Sequence, residues 1–244
     1  IGEKESVGLG LGVDSTTITT YTNSPQYYVD YVKNFGATNL SIPLTLSWAS
    51  DGKDSYFFPT KGTFQKASLE VALPGGDLTY YRASYQLQHF VPLTSRFTLM
   101  LNGEVGYAEG YGDSGLPFFK NFYAGGIGSV RGYKASSLGP LSIDTSTGTI
   151  YRLGGNSRVI GNAELLWGIP GMEKSFRMGW FFDAGQVYGN DAAQSSSSGL
   201  RYSTGLSASW ISPIGPLKFS FGRPLNKQAD DKSESFQFQM GTTF

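Results

Sequence analysis

Residues 200–210, with the sequence LRYSTGLSASW, alternate apolar and polar side chains along their whole length. Alternation with a period of two is typical of a half-buried β-strand, whereas an amphipathic helix repeats about every 3.6 residues. Successive side chains of a strand point to opposite faces of the sheet. The segment therefore predicts a strand with Leu200, Tyr202, Leu206 and Trp210 on one face and Arg201, Ser203 and Ser207 on the other.

The same alternation recurs along the chain in about ten segments. They lie near residues 5–20, 38–49, 62–74, 78–92, 96–108, 158–168, 174–189, 200–212, 215–224 and 234–244. Each has roughly the 9–11 residues that a tilted strand needs to cross a bilayer, or slightly more. Pro43 interrupts the second segment, because proline cannot donate a hydrogen bond to a ladder. The chain has no apolar run long enough for a membrane helix, so strands would make any membrane crossing.

The two faces of these segments favour a membrane barrel over a soluble fold. A soluble sandwich normally carries lysine and glutamate on its outer face, but the polar face here is mostly glycine, serine, threonine, asparagine and glutamine. Aromatic residues at segment ends are placed as in interfacial girdles, namely Trp48, Tyr107, Trp167 and Trp210. We predict an all-β fold, a single antiparallel transmembrane β-barrel domain over residues 1–244, with a soluble sandwich or lipocalin-like barrel as the alternative.

Composition excludes several kinds of site. The chain has no cysteine and one histidine, so it cannot form a disulfide, a thiolate metal site or a multi-histidine metal centre. Its 19 basic and 19 acidic residues balance, which argues against broad electrostatic binding to nucleic acid. We expect no metal, no cofactor and no nucleic-acid partner, and we expect His89 to be a lumen or interface side chain.

The connections between segments differ in length. Residues 73–77 and 212–216 are tight turns rich in proline and glycine. Outer-membrane barrels have short turns at one end and long loops at the other. We therefore expect three longer polar stretches at the end opposite both turns, at residues 21–37, 189–199 and 225–233. The serine run at 195–198 is expected to be only a solvated loop tip.

Residues 109–157 form a loop of about fifty residues, and loops of this length are usually functional or disordered. It contains the glycine-rich segment GGIGSVRGY at 125–133. The glycine spacing fails the dinucleotide-binding fingerprint, and the segment lacks the Gly-Lys-Ser/Thr ending of a phosphate loop. A nucleotide site is therefore disfavoured, and we predict that 109–157 is a lid loop.

Two carboxylates are predicted to point into the barrel. In the segments at 158–168 and 174–189 the apolar residues face lipid, so Glu164 and Asp183 face the lumen. The planar guanidinium of Arg131 can pair with both if the lid loop folds inward. Two alternatives stay open: a catalytic carboxylate pair, as in glycoside hydrolysis, and a purely structural set of charges that fills the lumen.

Four motifs occur at defined places in the chain. Val130, Arg131, Gly132 and Tyr133 follow NFYAGG at 121–126. The other three motifs are YFFPTKG at 56–62, WISPIGPL at 210–217 and FQFQMGTTF at 236–244. Together they resemble the BamA/TamA superfamily of barrel-assembly and translocation proteins. By this resemblance the first motif lies in the sixth outer loop of the family. The other three correspond, in order, to an element before a strand, the penultimate hairpin and the last strand. The resemblance covers most of residues 56–244.

The resemblance implies the C-terminal portion of a sixteen-stranded barrel, with the lid loop folded inward and without the periplasmic POTRA domains of that family. It implies a non-enzymatic insertase that assembles β-barrel proteins in the bacterial outer membrane, with Arg131 in contact with Glu164 and Asp183. The implied partners are the lipid bilayer and lipopolysaccharide, client outer-membrane proteins and accessory assembly lipoproteins. A two-partner-secretion translocation pore and a diffusion porin are the alternatives.

The resemblance also implies that the last strand is a seam strand and an assembly signal. Its lipid-facing and terminal residues would be Phe236, Phe238, Met240, Gly241 and Phe244, with Gln237, Gln239 and Thr243 inward. Such an edge would bind an incoming strand by β-augmentation. Because open edges in lipid leave unpaired amides, we expect a closed or dimerised sheet rather than an isolated open one.

Overall fold

The fold is built on one antiparallel sheet in a computed structural model, which describes residues 2, 4–22, 24–112, 115–144, 147–189 and 199–241. The strands are β1 (Glu5–Leu11), β2 (Asp14–Thr17), β3 (Thr38–Asp51), β4 (Gly62–Leu73), β5 (Tyr80–Pro92), β6 (Phe97–Gly110), β7 (Gly132–Tyr133), β8 (Leu141–Ile143), β9 (Ile150–Arg152), β10 (Ser157–Gly168), β11 (Phe176–Tyr188), β12 (Arg201–Ser212), β13 (Gly215–Pro224), β14 (Ser233–Glu234) and β15 (Phe236–Met240). Eleven strands form the main sheet in the order β1-β3-β4-β5-β6-β10-β11-β12-β13-β15, with β2 also paired to β3.

The predicted segments correspond to the strands of this sheet, and the all-β antiparallel fold is confirmed. One difference is that the first segment is divided into β1 and β2. Leu11 pairs with Leu44 and Asp14 with Ser41, so both strands keep one register on β3. The break between them lies opposite Pro43, which has no N–H to donate.

The sheet is apolar on its outer face and polar on its inner face. On β12, Leu206 and Trp210 are 49% and 39% exposed, whereas Arg201, Ser203 and Ser207 are buried. The predicted orientation of this strand is therefore confirmed, and a register shifted by one residue would invert it. A soluble sandwich would bury the large apolar side chains, so that alternative is wrong.

The sheet is open along one line. Among the described residues, β1 and β15 do not pair with each other, and each has one strand neighbour in the main sheet. The described residues therefore do not close into a barrel, and dimerisation through these edges stays a prediction. Backbone groups along the two edges need partners wherever they lie in lipid.

The connections alternate between the two ends of the sheet, and one predicted placement is wrong. Neighbouring strands are antiparallel, so every second connection lies at the same end. This rule places the tight turn at 74–79 at the same end as the lid loop, where Tyr111 N–H donates to Thr79 O over 3.0 Å. The turn at 213–214 lies at the opposite end, as expected. The length of a turn does not show at which end of the sheet it lies, because that end depends on how many strands precede the turn.

A helix, α1 (Gln26–Phe35), lies in the stretch 21–37 that we expected to be a polar loop. Tyr28 stacks on Phe118 of the lid loop at 4.2 Å between ring centroids, and Tyr31 meets the same ring edge-on. Tyr28, Tyr31, Val32 and Phe35 have helical spacing, which the search for a period of two missed. No helix in the described residues is long and apolar enough to span a bilayer.

The lid loop folds into the concave side of the sheet. It runs between β6 and β10 and contains β7, β8, β9 and a short 3₁₀ helix (Phe118–Lys120). Its apolar residues form the main core with three strand residues: Phe122, Ala124, Val130, Tyr133 and Leu138 of the loop pack with Ala108, Ile160 and Val187. The loop reaches inward side chains from β4 to β15 because the sheet curves around it.

Candidate functional site

Arg131 lies inside the curved sheet and bridges the two predicted carboxylates. Its Nε and one terminal nitrogen donate to the two Asp183 carboxylate oxygens over 2.8 Å each, and the other terminal nitrogen donates to Glu164 over 2.8 Å. The Arg131 backbone N–H also donates to Asp183 over 3.0 Å. The structure therefore brings together the three residues that the sequence analysis named.

The ion pair is held by further inward side chains. Ser207 O–H donates to Glu164, and the Asn162 amide donates to Asp183 over 2.9 Å. The guanidinium carbon of Arg131 lies 3.6 Å from the centroid of the Phe181 ring. All three charged residues are at least 97% buried, so each charge depends on these partners for its stability.

The other motif residues fix the loop on the sheet. Gly132 has φ +83°, and a Cβ there would lie 3.0 Å from the Gly222 carbonyl carbon of β13. Only glycine fits both the positive φ and this close approach of two backbones. Val130 and Tyr133 are fully buried in the core, and Tyr133 O–H donates to the Tyr202 carbonyl over 3.3 Å.

The last strand, β15, is in contact with this motif. Phe236, Phe238 and Met240 are 49–60% exposed on the outer face, whereas Gln237 is 6% exposed and points inward. The Gln237 amide donates to the Tyr133 carbonyl over 2.7 Å and accepts from the Gly132 N–H over 3.4 Å. Gly241 has a positive φ of 121°, and Thr243 and Phe244 lie outside the described residues. The sequence pattern placed Gln237 inward but did not reveal its contact with the loop.

A second buried ion cluster joins the lid loop to the loop before β15. Asp231 accepts from Arg201 Nε over 2.5 Å and lies 3.9 Å from Arg152 of β9. Asp231 and Arg201 are both nearly inaccessible to solvent. Sequence reasoning missed this cluster, because Asp231 lies in a polar stretch with no periodicity to orient it.

The lid loop is also tied to the opposite side of the sheet. Lys120 donates to Glu70 of β4 over 2.7 Å, and Arg158 of β10 donates to Glu104 of β6. The Phe122 ring of the loop lies 4.2 Å from the Arg82 guanidinium carbon. The lumen at the level of the lid is therefore filled by paired charges and aromatic rings.

The YFFPTKG motif lies at the other end of the sheet, between β3 and β4. Arg177 of β11 donates to the Pro59 carbonyl over 2.7 Å, and its guanidinium carbon lies 5.0 Å from the centroid of the Phe58 ring. A small cavity of about 60 Å³ beside them is lined by Lys218, by Glu164 and by Tyr56 and Phe57 of the motif. The motif therefore covers the lumen from the end opposite the lid.

His89 takes no part in this arrangement. His89 is exposed on the outer face, and its Nδ1 lies 2.7 Å from the Thr63 hydroxyl of β4. In the part of the chain that the structure describes, no three His, Asp or Glu side chains are grouped as metal ligands would be.

Known proteins are similar to this chain in sequence and in architecture. The outer membrane protein assembly factor BamA of Neisseria meningitidis is 38% identical over the whole chain, which covers 35% of that protein. The BamA of Nitratidesulfovibrio vulgaris is 29% identical over the whole chain, which covers 30% of it. A crystal structure of BamA from Haemophilus ducreyi lacking POTRA domains 1–3 matches with a TM-score of 0.86 and 27% identity, over 98% of this chain and 51% of that one.

The chain thus spans about a third of the length of the two assembly factors and about half of the crystallised chain. The Omp85 superfamily domain model matches residues 1–244, the entire chain. Because this match covers the whole chain and the crystal structure shares its architecture, the chain belongs to the Omp85 superfamily.

Proposed function

We propose that this chain is the C-terminal barrel part of an insertase that assembles β-barrel proteins into the bacterial outer membrane. The observation that carries the proposal is the edge of β15 opposite β13, which has no strand partner among the described residues, lies beside the lid loop and has apolar side chains on its outer face. The similar proteins are named assembly factors of outer membrane proteins, and this chain covers about a third of them, so the proposal requires that this edge can open in the full-length protein. An edge that opens supplies what such a function needs, which is a strand that can pair with a client at the level of the membrane.

The backbone groups that point to this edge can be identified. Gly222 N–H donates to Ser235 O over 2.8 Å, and Gly241 N–H donates to Pro216 O over 3.0 Å. Hydrogen-bonded and non-hydrogen-bonded pairs alternate in an antiparallel ladder. The N–H and C=O groups of Phe236, Phe238 and Met240 therefore point away from β13, toward the free edge. A client strand could bind these groups by β-augmentation.

A groove of about 340 Å³ lies beside the same edge. Gly126, Ile127 and Ala135 of the lid loop form one wall, and Phe236 and Phe238 belong to the other. A strand that paired with β15 would turn alternate side chains inward, toward this wall. The lid would then contact the client directly.

The Arg131 cluster acts in this proposal as an anchor and performs no chemistry. Arg131, Ser207 and Asn162 donate to the carboxylates of Glu164 and Asp183. A general acid or base must exchange a proton with a substrate, but Asp183 is fully buried and Glu164 adjoins only a small cavity of about 60 Å³. We therefore propose a non-enzymatic function without a cofactor, in place of a catalytic carboxylate pair.

The proposed partners follow from the two faces and two ends of the sheet. The apolar outer face fits the lipid bilayer, as in other outer-membrane barrels. Client strands would bind at β15. Lipopolysaccharide would meet the end with the lid loop, and accessory lipoproteins would act with the full-length protein at the other end.

A two-partner-secretion pore is the second candidate, since translocation pores also use an inward arginine loop by resemblance. A conducting lumen would require the lid to leave the sheet, and this would separate Arg131 from both buried carboxylates. The ties of the lid to β4, β11 and β15 favour a stationary lid and therefore the insertase. A diffusion porin is disfavoured for the same reason.

Substitution of Phe238 by proline in the full-length protein tests the proposal. Proline removes an N–H that points to the free edge and leaves the ladder to β13 intact, and such edge positions tolerate proline. Phe238→Leu is the matched control that keeps the N–H. We expect Phe238→Pro to lose insertion of a client barrel into liposomes, measured by the heat-modifiable gel mobility of the client, while Phe238→Leu stays active. Full insertion by a correctly folded Phe238→Pro protein would contradict the proposal.

A further inference from the structure

Gln237 is the inward side chain through which β15 reaches the lid loop. Its carboxamide is 6% exposed, donates to the Tyr133 carbonyl over 2.7 Å and accepts from the Gly132 N–H over 3.4 Å. A carboxamide carries one acceptor and one donor group, as a peptide unit does, so it can satisfy both backbone groups of the motif. The Tyr133 carbonyl is buried, and leaving it unpaired is unfavourable.

The segment before Gln237 is bound to the same stretch of the lid. Ser233 pairs with Tyr133 and Glu234 with Gly132 in the β14–β7 ladder. Lys134 N–H donates to Lys232 O over 2.8 Å. The motif therefore serves as a short template strand, and Gln237 extends its contact onto β15.

The ladder between β13 and β15 fixes the register of β15 less firmly than these contacts with the lid do. It pairs five residues on one side, and the other edge of β15 has no strand partner in the part of the chain that the structure describes. A shift of one residue would turn phenylalanines into the polar lumen, but a shift of two residues keeps every side chain on its own face. In one such shift, Gln239 would take the place of Gln237 opposite Ser220, and Met240 would stand opposite Phe219.

We propose that Gln237 is a positioning residue that sets the register of the seam strand by binding the Gly132–Tyr133 backbone of the lid. The lid thereby determines which β15 residues lie at each level of the free edge. This inference rests on the proposed function only for what the edge binds. The register itself is a property of the chain and can be measured without any client.

Cysteine pairs in the full-length protein report the register, and this chain contributes no cysteine of its own. Phe219 and Phe238 are opposite each other in the native register, so the pair Phe219→Cys with Phe238→Cys should form a disulfide. The pair Phe219→Cys with Met240→Cys detects the shifted register. All these side chains are on the lipid face, away from the lid. Each pair is oxidised alone and in combination with Gln237→Met, which keeps the side-chain volume but removes the amide.

We expect Gln237→Met to raise the ratio of shifted to native disulfide about tenfold, the change expected for losing hydrogen bonds of ordinary strength. Adding Gln239→Met should reduce the shifted product again, because no amide is then available to bind the motif. Ser220→Ala is the matched control on the same inner face, since the Ser220 hydroxyl has no hydrogen-bond partner among the described residues. It should leave the ratio unchanged.

A Gln237→Met protein that forms only the native disulfide, with the wild-type ratio, would overturn the inference. An equal change caused by Ser220→Ala would also overturn it, because the effect would then come from general loosening of the strand. Insertion of a client by the same variants is measured separately. A shifted register with unchanged insertion would leave the role of Gln237 intact and count against the proposed use of the β15 edge.

Discussion

The guanidinium of Arg131 lies over the ring of Phe181, with 3.6 Å between the guanidinium carbon and the ring centroid. Phe181 is fully buried on β11, two residues before Asp183, so the same strand supplies both the ring and a carboxylate. A cation over an aromatic face is stabilised most strongly when both are desolvated. The ring therefore supports the arginine on the side that the carboxylates leave open.

Replacement of Phe181 by leucine should weaken this support without removing a charge. We expect a loss of about 1–2 kcal/mol in the free energy of unfolding, from lost packing and the lost cation–π contact. Denaturant unfolding in liposomes measures it. Phe182→Leu, at the adjacent and outward-facing position, loses only the stacking of its ring on Tyr202 and should cost less than Phe181→Leu. Equal losses for the two variants would show that the ring contact with Arg131 contributes nothing special.

Replacement of Arg131 by methionine should be far more damaging. It leaves Glu164 and Asp183 buried without their counter-charge, and breaking a buried pair in this way costs about 3–5 kcal/mol. The triple variant Arg131→Met, Glu164→Gln and Asp183→Asn should recover part of the lost stability, because no unpaired carboxylate remains, while Lys218 beside Glu164 keeps its charge. Unfolding of the three proteins side by side tests this. A triple variant no more stable than Arg131→Met would contradict the charge explanation.

Replacement of Gly132 by alanine should disturb the approach of the lid to β13. The positive φ and the 3.0 Å contact with the Gly222 carbonyl carbon lead us to expect a loss of about 1–3 kcal/mol. Gly128→Ala in the same loop is the matched control, since a Cβ there meets no atom within 4 Å. Protease cleavage of the lid should increase for Gly132→Ala and stay at the wild-type level for Gly128→Ala. Identical cleavage of both variants would refute the proposed constraint.

Replacement of Ala135 by tryptophan should obstruct the groove beside β15. The residue is exposed and lines the groove, so a large side chain there would occupy space that a client strand needs. We expect client insertion by the full-length protein to fall while its thermal stability is unchanged. Lys134→Trp, one residue earlier and outside the groove lining, should remain active. Normal insertion by Ala135→Trp would argue that clients do not use the groove.

Much of the fold could be predicted because each strand separates two different environments. Leu206 contacts the outside and Ser207 the lumen, so the sequence of β12 itself records which way each residue points. The same rule placed Glu164 and Asp183 inward. Arg131 was linked to them because an inward loop can carry a guanidinium to both, and the family resemblance implied the same contact.

The features that were missed depend on relationships that alternation does not encode. Asp231 and Gln237 contact residues of the lid loop far away in sequence, and α1 follows a helical period. The placement of the 73–77 turn failed for a topological reason, because the end of the sheet is set by the number of preceding strands. Periodicity describes one strand at a time, whereas these features arise between elements.

The contact between the lid and β15 also has a consequence for the order of folding. Gly132 and Gln237 are separated by 105 residues, whereas Arg131 and Asp183 are separated by 52. Contacts over long separations form late, because the intervening chain must first be ordered. The lid therefore completes its docking only when the last strand has arrived, and protection of the lid from proteolysis should mark the completion of this molecule's own assembly.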